Sequence, residues 1–249
     1  MKQGAIEQSW MQPLSDRDRK VLEALGHGAR QGFGRRPALL VIDCNYDFCG
    51  AGPAPILEAI SRWRNACGEH AWAAIKVIRR LLDASHTKGL PVFYSTNTRR
   101  ADGFDAGSWR WKNAPERGQQ GPRIARADDI VDEIAPAPQD VVIQKTKPSV
   151  FFGTPLLSFL VDLKVDSLLV CGGTTSGCVR ASVLDAFSNN LRCAVVADAC
   201  FDRLETSHAI NLVDMQAKYA DVIASEEAVK FVQGLPPALF ELPRGQGNK

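Results

Sequence analysis

The chain has 249 residues, 45% hydrophobic and 23% charged, with a formal net charge of +2. That length fits one large α/β domain or two small ones, and the near-neutral balance argues against nucleic acid or an anionic membrane as partner. Seven scattered cysteines fit a reducing compartment better than a disulfide framework. With no zinc-spaced Cys/His cluster, signal-type start or membrane-length run, a soluble, cytoplasmic protein is expected.

Residues 1–36 read as an N-terminal extension. Ser15 and Asp18 form a capping-box pattern ahead of Val21, Leu22 and Leu25, which predicts one short helix. Residues 26–37 then read as an irregular connection, with His27 a loop residue. Residues 38–42, Ala-Leu-Leu-Val-Ile, are an apolar run of buried-strand type. Residues 51–70, with Trp63 and Arg64, form an excursion that could line a pocket or build a subunit contact. Aromatic residues at helical spacing, such as Trp63 and Trp72, are nevertheless more often core than substrate box.

Trp72, Ile75, Ile78, Leu81 and Leu82 make one helical face within residues 69–88, and residues 91–96 make a second strand. Residues 99–126, polar and Gly-rich with Trp109 and Trp111, read as a long surface excursion that covers something. Residues 140–144 are a third strand. Leu156, Phe159, Leu160 and Leu163 mark a helix, and residues 167–172 a fourth strand. Val179, Val183, Leu184 and Phe187 mark the next helix, and residues 193–197 a fifth strand. Residues 205–219 read as a helix and 221–224 as a last short strand. The core domain is expected over residues 37–235, with a loosely ordered tail at 236–249. Alternation of this kind predicts an α/β fold: a doubly wound, Rossmann-like, mainly parallel sheet with helices on both faces, three layers αβα. Ligands then bind at the carboxyl ends of the strands.

The most informative residue is Cys178. It follows a buried strand and a run of small turn residues, and it precedes a helix. Backbone N–H groups and the helix dipole at such a place favour a thiolate and an oxyanion. Cys44, Cys49, Cys67, Cys171, Cys193 and Cys200 read as small buried hydrophobes. Asp43 and Lys145 also fall just past strand ends. In a doubly wound sheet all three converge on one edge, as an acid, a base and a nucleophile. Lys145 is expected to lower the thiol pKa by charge, and Asp43 to carry the proton.

Three stretches carry a resemblance: residues 39–48 (Leu-Leu-Val-Ile-Asp-Cys-Asn-Tyr-Asp-Phe), residues 142–154, and residues 172–182 (Gly-Gly-Thr-Thr-Ser-Gly-Cys-Val-Arg-Ala-Ser). Together they resemble the isochorismatase-like cysteine hydrolases over residues 37–222. The third stretch and residues 212–222 are similar to the N-carbamoylsarcosine amidase and maleamate amidase branch. The resemblance implies a catalytic triad of Asp43, Lys145 and Cys178. It implies a cis peptide between Gly173 and Thr174, and an oxyanion hole made by the Thr174 and Cys178 N–H groups. It implies that Arg203 binds a substrate carboxylate, for which its planar fork is suited. The competing reading of Arg203 is an ion pair with Asp202 or Glu205. Thr175 and Asn45 are further substrate-binding candidates, although Asn45 stands where many relatives have Gln.

The expected activity is amide or ureido C–N hydrolysis on a small carboxylate-bearing substrate, through a Cys thioester and with release of ammonia. No metal and no cofactor are expected, since residues 95–100 lack the histidine of a nicotinamidase-type metal motif. The expected assembly is a homo-oligomer, a dimer or tetramer. The alternatives are hydrolysis of another bond, such as a vinyl ether, or a thiol redox or binding protein on the same fold. Residues 172–177 do not match the G-x-G-x-x-G dinucleotide spacing.

Overall fold

The computed structural model describes residues 9–112 and 125–242. Residues 1–8, 113–124 and 243–249, which hold the start of the N-terminal extension, part of the long excursion and the end of the tail, lie outside the described residues.

The strands are β1 (Pro37–Ile42), β2 (Val92–Asn97), β3 (Val141–Lys145), β4 (Ser167–Gly173), β5 (Arg192–Phe201) and β6 (Asp221–Ile223). They form one sheet in the order β3-β2-β1-β4-β5-β6, and every neighbouring pair is parallel. The chain builds outward from β1 to one edge, returns, and builds the other edge from β4. The order therefore reverses between β1 and β4, where a crevice opens at the carboxyl ends. β1 and β4 are buried at every position, which is why they read as unbroken apolar runs. The edge strand β3 alternates instead, burying Ile143 and Lys145 between exposed Val142 and Gln144.

The helices are α1 (Asp16–Leu25), α2 (Tyr46–Cys49), α3 (Ile56–Arg62), α4 (Glu69–Lys88), α5 (Trp109–Lys112), α6 (Leu156–Asp162), α7 (Arg180–Ser188), α8 (Glu205–Lys218) and α9 (Ser225–Gly234). α4 buries Trp72, Ile75, Ile78, Leu81 and Leu82 against β1, β2, β4 and β5, and α9 packs beside it. α7 and α8 pack on each other and reach β5 and β6. Right-handed crossovers running to opposite edges put these two groups on opposite faces of the sheet. Among the described residues, no helix is long and apolar enough to cross a membrane.

Several details depart from the sequence reading. Lys145 is the last residue of β3 rather than the first beyond it. Phe159 and Phe187 are 39% and 45% exposed; Phe187 rests edge-on against Tyr219, at the rim of the core rather than inside it. β5 continues to Phe201. Val170 and Gly172 of β4 pair with Val195 and Cys200, so the intervening residues of β5 bulge outward. The bulge carries Asp198 to Ser225 at the start of α9, where it accepts from N at 2.8 Å and Oγ at 2.6 Å. Beyond it, Cys200 and Phe201 rejoin β4 beside the crevice.

The N-terminal stretch is tied to the sheet. Ser15 Oγ caps α1 by accepting from Asp18 N at 3.1 Å, and the helix itself buries no residue. Trp10, by contrast, lies in the main core. The N–H groups of Gln31 and Gly32 donate to the buried Asp221 carboxylate at 3.0 and 2.8 Å. Those of Arg35 and Arg36 donate to Asp166 at 2.8 and 2.9 Å.

Candidate active site

Asp43 leaves β1 with φ 48, a left-handed backbone that Asp adopts more readily than most residues. Its N–H donates to Ser95 O of β2 at 3.1 Å, and Ser95 Oγ donates back to Asp43 Oδ1 at 2.7 Å. With one oxygen held, Oδ2 faces Lys145 Nζ at 2.7 Å, both side chains being buried. Lys145 Nζ in turn reaches Cys178 Sγ at 3.4 Å. Carboxylate, ammonium and thiol therefore form one contact chain at the switch of strand order.

Burial opposes the charge on Lys145, but the charges of Asp43 and Cys178 outweigh it and hold Lys145 above its ordinary value. The Cys178 thiol is pushed up to about 12, first by burial and then by the Asp43 charge, against the opposite pull of Lys145. Lys145 lowers the thiol pKa as expected, but the net shift is upward. Desolvation of the thiolate exceeds what one ammonium returns. Residues Thr175–Val179 form a π turn ahead of α7, in which Gly177 N and Val179 N donate to Thr174 O at 3.0 and 3.1 Å.

The segment around the thiol is shaped by neighbours that sequence reasoning passes over. The Gly173–Thr174 peptide is cis. Gly172 has φ 102, and a Cβ there would stand 2.1 Å from Ile42 O. A Cβ on Gly173 would stand 2.2 Å from the Phe201 ring. Asp202 then clamps the turn: Oδ2 accepts from Ser176 N at 2.8 Å and Oγ at 2.7 Å, while Oδ1 accepts from Arg203 N at 2.8 Å. Thr175 Oγ1 donates to Phe201 O at 3.1 Å and meets His208 Nδ1 at 2.8 Å. The network thus assigns the imidazole proton to Nδ1. Burial holds His208 below the ordinary imidazole value.

The site opens into a cavity of about 540 Å³, lined by Phe48, Trp109, Lys145, Thr174, Cys178 and Arg203 among others. Arg203 makes no ion pair with Asp202 or Glu205. Its Nη1 donates to Asn65 O at 2.6 Å, and its guanidinium lies 5.9 Å from the Phe48 ring centroid. Asn65 is positioned in turn by its own Nδ2, which donates to Asp47 Oδ2 at 2.9 Å. The excursion over residues 51–70 therefore lines the cleft through Arg64 and Asn65, while Trp63 and Trp72 are buried. Trp109 lines the cleft and Trp111 is 82% exposed.

Asn45 and Thr175 are corrected: the structure brings neither to the cleft. Asn45 is buried. Its Oδ1 caps α2 by accepting from Phe48 N at 3.2 Å, and its Nδ2 donates to Thr96 Oγ1 at 3.0 Å. Thr175 is buried and points its hydroxyl at Phe201 and His208. Ser95, Asp202 and His208 are positioning residues that the sequence analysis does not single out. For Asp202 the available signal is adjacency to Arg203, read there as a charge pair. Cys44, Cys49, Cys67, Cys171, Cys193 and Cys200 are buried and unpaired with one another. Among the described residues, no group of three or more His, Cys, Asp or Glu side chains could hold a metal ion.

A family model described as the isochorismatase domain matches residues 37–227. The chain is 33% identical over 227 residues to an N-carbamoylsarcosine amidase of Arthrobacter sp, covering 88% of this chain and 80% of that protein. It is 31% identical over 210 residues to a maleamate amidohydrolase of Pseudomonas putida, covering 84% and 92%. A solved isochorismatase family protein from Desulfovibrio vulgaris superposes with a TM-score of 0.68 at 30% identity, over 80% of this chain and 99% of that one.

Proposed function

The chain belongs to the isochorismatase family, and from that premise we propose that it is a cysteine-dependent amidohydrolase. It cleaves the C–N bond of a carboxamide or ureido group on a small carboxylate-bearing substrate and releases ammonia. The observation that carries this reading is the contact chain from Asp43 through Lys145 to Cys178, at 2.7 and 3.4 Å, in a cleft that Arg203 also lines. The activities of the two relatives, an amidase and an amidohydrolase, support amide cleavage over cleavage of another bond.

At neutral pH the nucleophile is a thiol, so attack requires a base. Asp43 takes the Sγ proton as sulfur adds to the carbonyl carbon, and Lys145 stabilises the charge that passes between them. The carbonyl oxygen becomes an oxyanion, held by the Thr174 and Cys178 N–H groups. The C–N bond breaks as Asp43 returns the proton to nitrogen, and ammonia leaves a thioester on Cys178. Water then attacks the thioester. Asp43 takes the water proton and delivers it to the departing sulfur, and the acid is released; from a ureido group the product is a carbamate. Arg203 binds the substrate carboxylate throughout. A thiol redox role is less well supported, because a redox sensor works through a populated thiolate.

Ammonia release on a panel of carboxylate-bearing amides and ureides, including N-carbamoylsarcosine and maleamate, tests this reading. Wild type turns over at least one of them. Cys178→Ala and Cys178→Ser lose turnover with an unchanged circular dichroism spectrum. A variant that keeps more than a few per cent of the activity overturns the covalent mechanism.

A further inference from the structure

The cations that line the cleft are not equivalent. Arg99 is paired with the buried Asp47 carboxylate at 3.3 Å, Arg100 with Asp102 at 2.6 Å and Lys145 with Asp43 at 2.7 Å, and Arg64, which also lines the cleft, has a partner of its own. Arg203 and Lys147 also line the cleft, but among the described residues neither is paired with a carboxylate. Arg203 donates to Asn65 O at 2.6 Å, and Lys147 Nζ to Asp105 O at 3.3 Å. A carbonyl oxygen leaves most of a cation's charge unanswered, so each is an open site for an anion. The Asp105 carboxylate makes no ion pair with Lys147; its Oδ2 accepts from Arg100 N at 2.8 Å.

The two open cations enter from opposite flanks. Lys147 follows β3 and Arg203 follows β5, four places apart in the sheet order. The strands themselves lie about 19 Å apart at the usual spacing, and the two long side chains reach inward from them to line the same cleft. Gly107 lies close to the ammonium: a Cβ there would come within 2.8 Å of Lys147 Nζ. A cavity of about 540 Å³ has room for a ligand with more than one anchor.

We propose that Lys147 anchors a second anionic group, so that the preferred substrate is an amide or ureide bearing two carboxylates, one on Arg203 and the other on Lys147. The inference rests on the amidohydrolase reading for the reacting group, and on the unpaired cations for the rest. Lys147 is thus a specificity-determining residue, remote from the bond that breaks.

Calorimetric titration of the full chain with succinate, glutarate and adipate, each against the monocarboxylate of equal chain length, reads the site without turnover. In wild type the best dicarboxylate binds about 10- to 100-fold more tightly than its monocarboxylate, the range expected for one added charge-assisted contact. Lys147→Gln brings the two to equal affinity, Lys147→Arg keeps most of the preference, and Arg203→Gln weakens both. Equal affinities in wild type, or a preference that survives Lys147→Gln, overturn the proposal. In a second arm, ammonia release from N-carbamoylaspartate is compared with that from N-carbamoylleucine, its isostere without the second charge. A Lys147-dependent dicarboxylate preference without ammonia release from any amide sinks the amidohydrolase reading and leaves the anion site standing. Ammonia release without that preference does the reverse.

Discussion

Replacing Asp43 by asparagine separates two effects of one carboxylate. Its charge raises the Cys178 thiol pKa, while Lys145 pulls it down. Removing the charge therefore lowers the thiol pKa and increases the thiolate fraction near neutrality. It also removes the base that carries the proton. Asp43→Asn is expected to lose turnover yet to be alkylated by iodoacetamide at position 178 several-fold faster than wild type at pH 7. In wild type the alkylation rate climbs as pH rises toward the thiol value of about 12. Lys145→Met shifts the dependence the other way, to still higher pH. Peptide mass spectrometry across a pH series reads all three, and an unchanged or slower rate in Asp43→Asn would remove Asp43 from this account. The three side chains are legible in the sequence because each stands at a strand end. The sign of the thiol shift is not, since desolvation depends on what covers the site.

Among the elements, the junction of β4 with the thiol turn is the most constrained. Gly172 lies opposite Ile42 in the register, and any side chain there meets the β1 backbone at 2.1 Å in a conformation, φ 102, that L-residues avoid. Backbone of a paired strand cannot rotate away as a side chain could. Gly172→Ala is expected to cost about 3 kcal/mol or more and to lower the melting temperature by roughly 10 °C, with activity falling in step as the thiol turn is displaced. A melting temperature within 2 °C of wild type, checked by scanning calorimetry and allowing about 2–4 °C per kcal/mol, would show that β1 and β4 separate easily. The apolar runs of β1 and β4 announce these strands. The bulge in β5 is silent in the sequence, because no period marks residues that leave a ladder and rejoin it. That bulge decides where Asp202 clamps Ser176 and where Arg203 enters the cleft.

At the scale of the whole molecule, residues 9–36 contribute to the stability of the sheet. Trp10 is part of the core, and the buried Asp221 carboxylate depends on the Gln31 and Gly32 amides. Deletion of residues 1–36 is expected to cost about 3–5 kcal/mol from Trp10 alone, on the order of 10 °C in melting temperature, with a further loss from the unsatisfied carboxylate. Since none of the described residues of this stretch lines the cleft, the kcat/KM of the folded fraction at low temperature stays close to that of the full chain. A truncated chain as stable as the full one would make the stretch a dispensable extension.

The strand and helix order, the parallel doubly wound sheet and the convergence of Asp43, Lys145 and Cys178 were determined by the sequence alone. Hydrophobic periodicity and strand-end position are local properties, and a right-handed crossover leaves few ways to assemble them. The tertiary structure decided which polar groups face the cleft and which face inward. It turned Asn45 and Thr175 into the interior, left Arg203 and Lys147 without carboxylate partners among the described residues, and through burial raised the thiol pKa against the pull of Lys145. Burial and ion pairing are set by residues distant in the chain, and these contacts exist only once the sheet has closed around them.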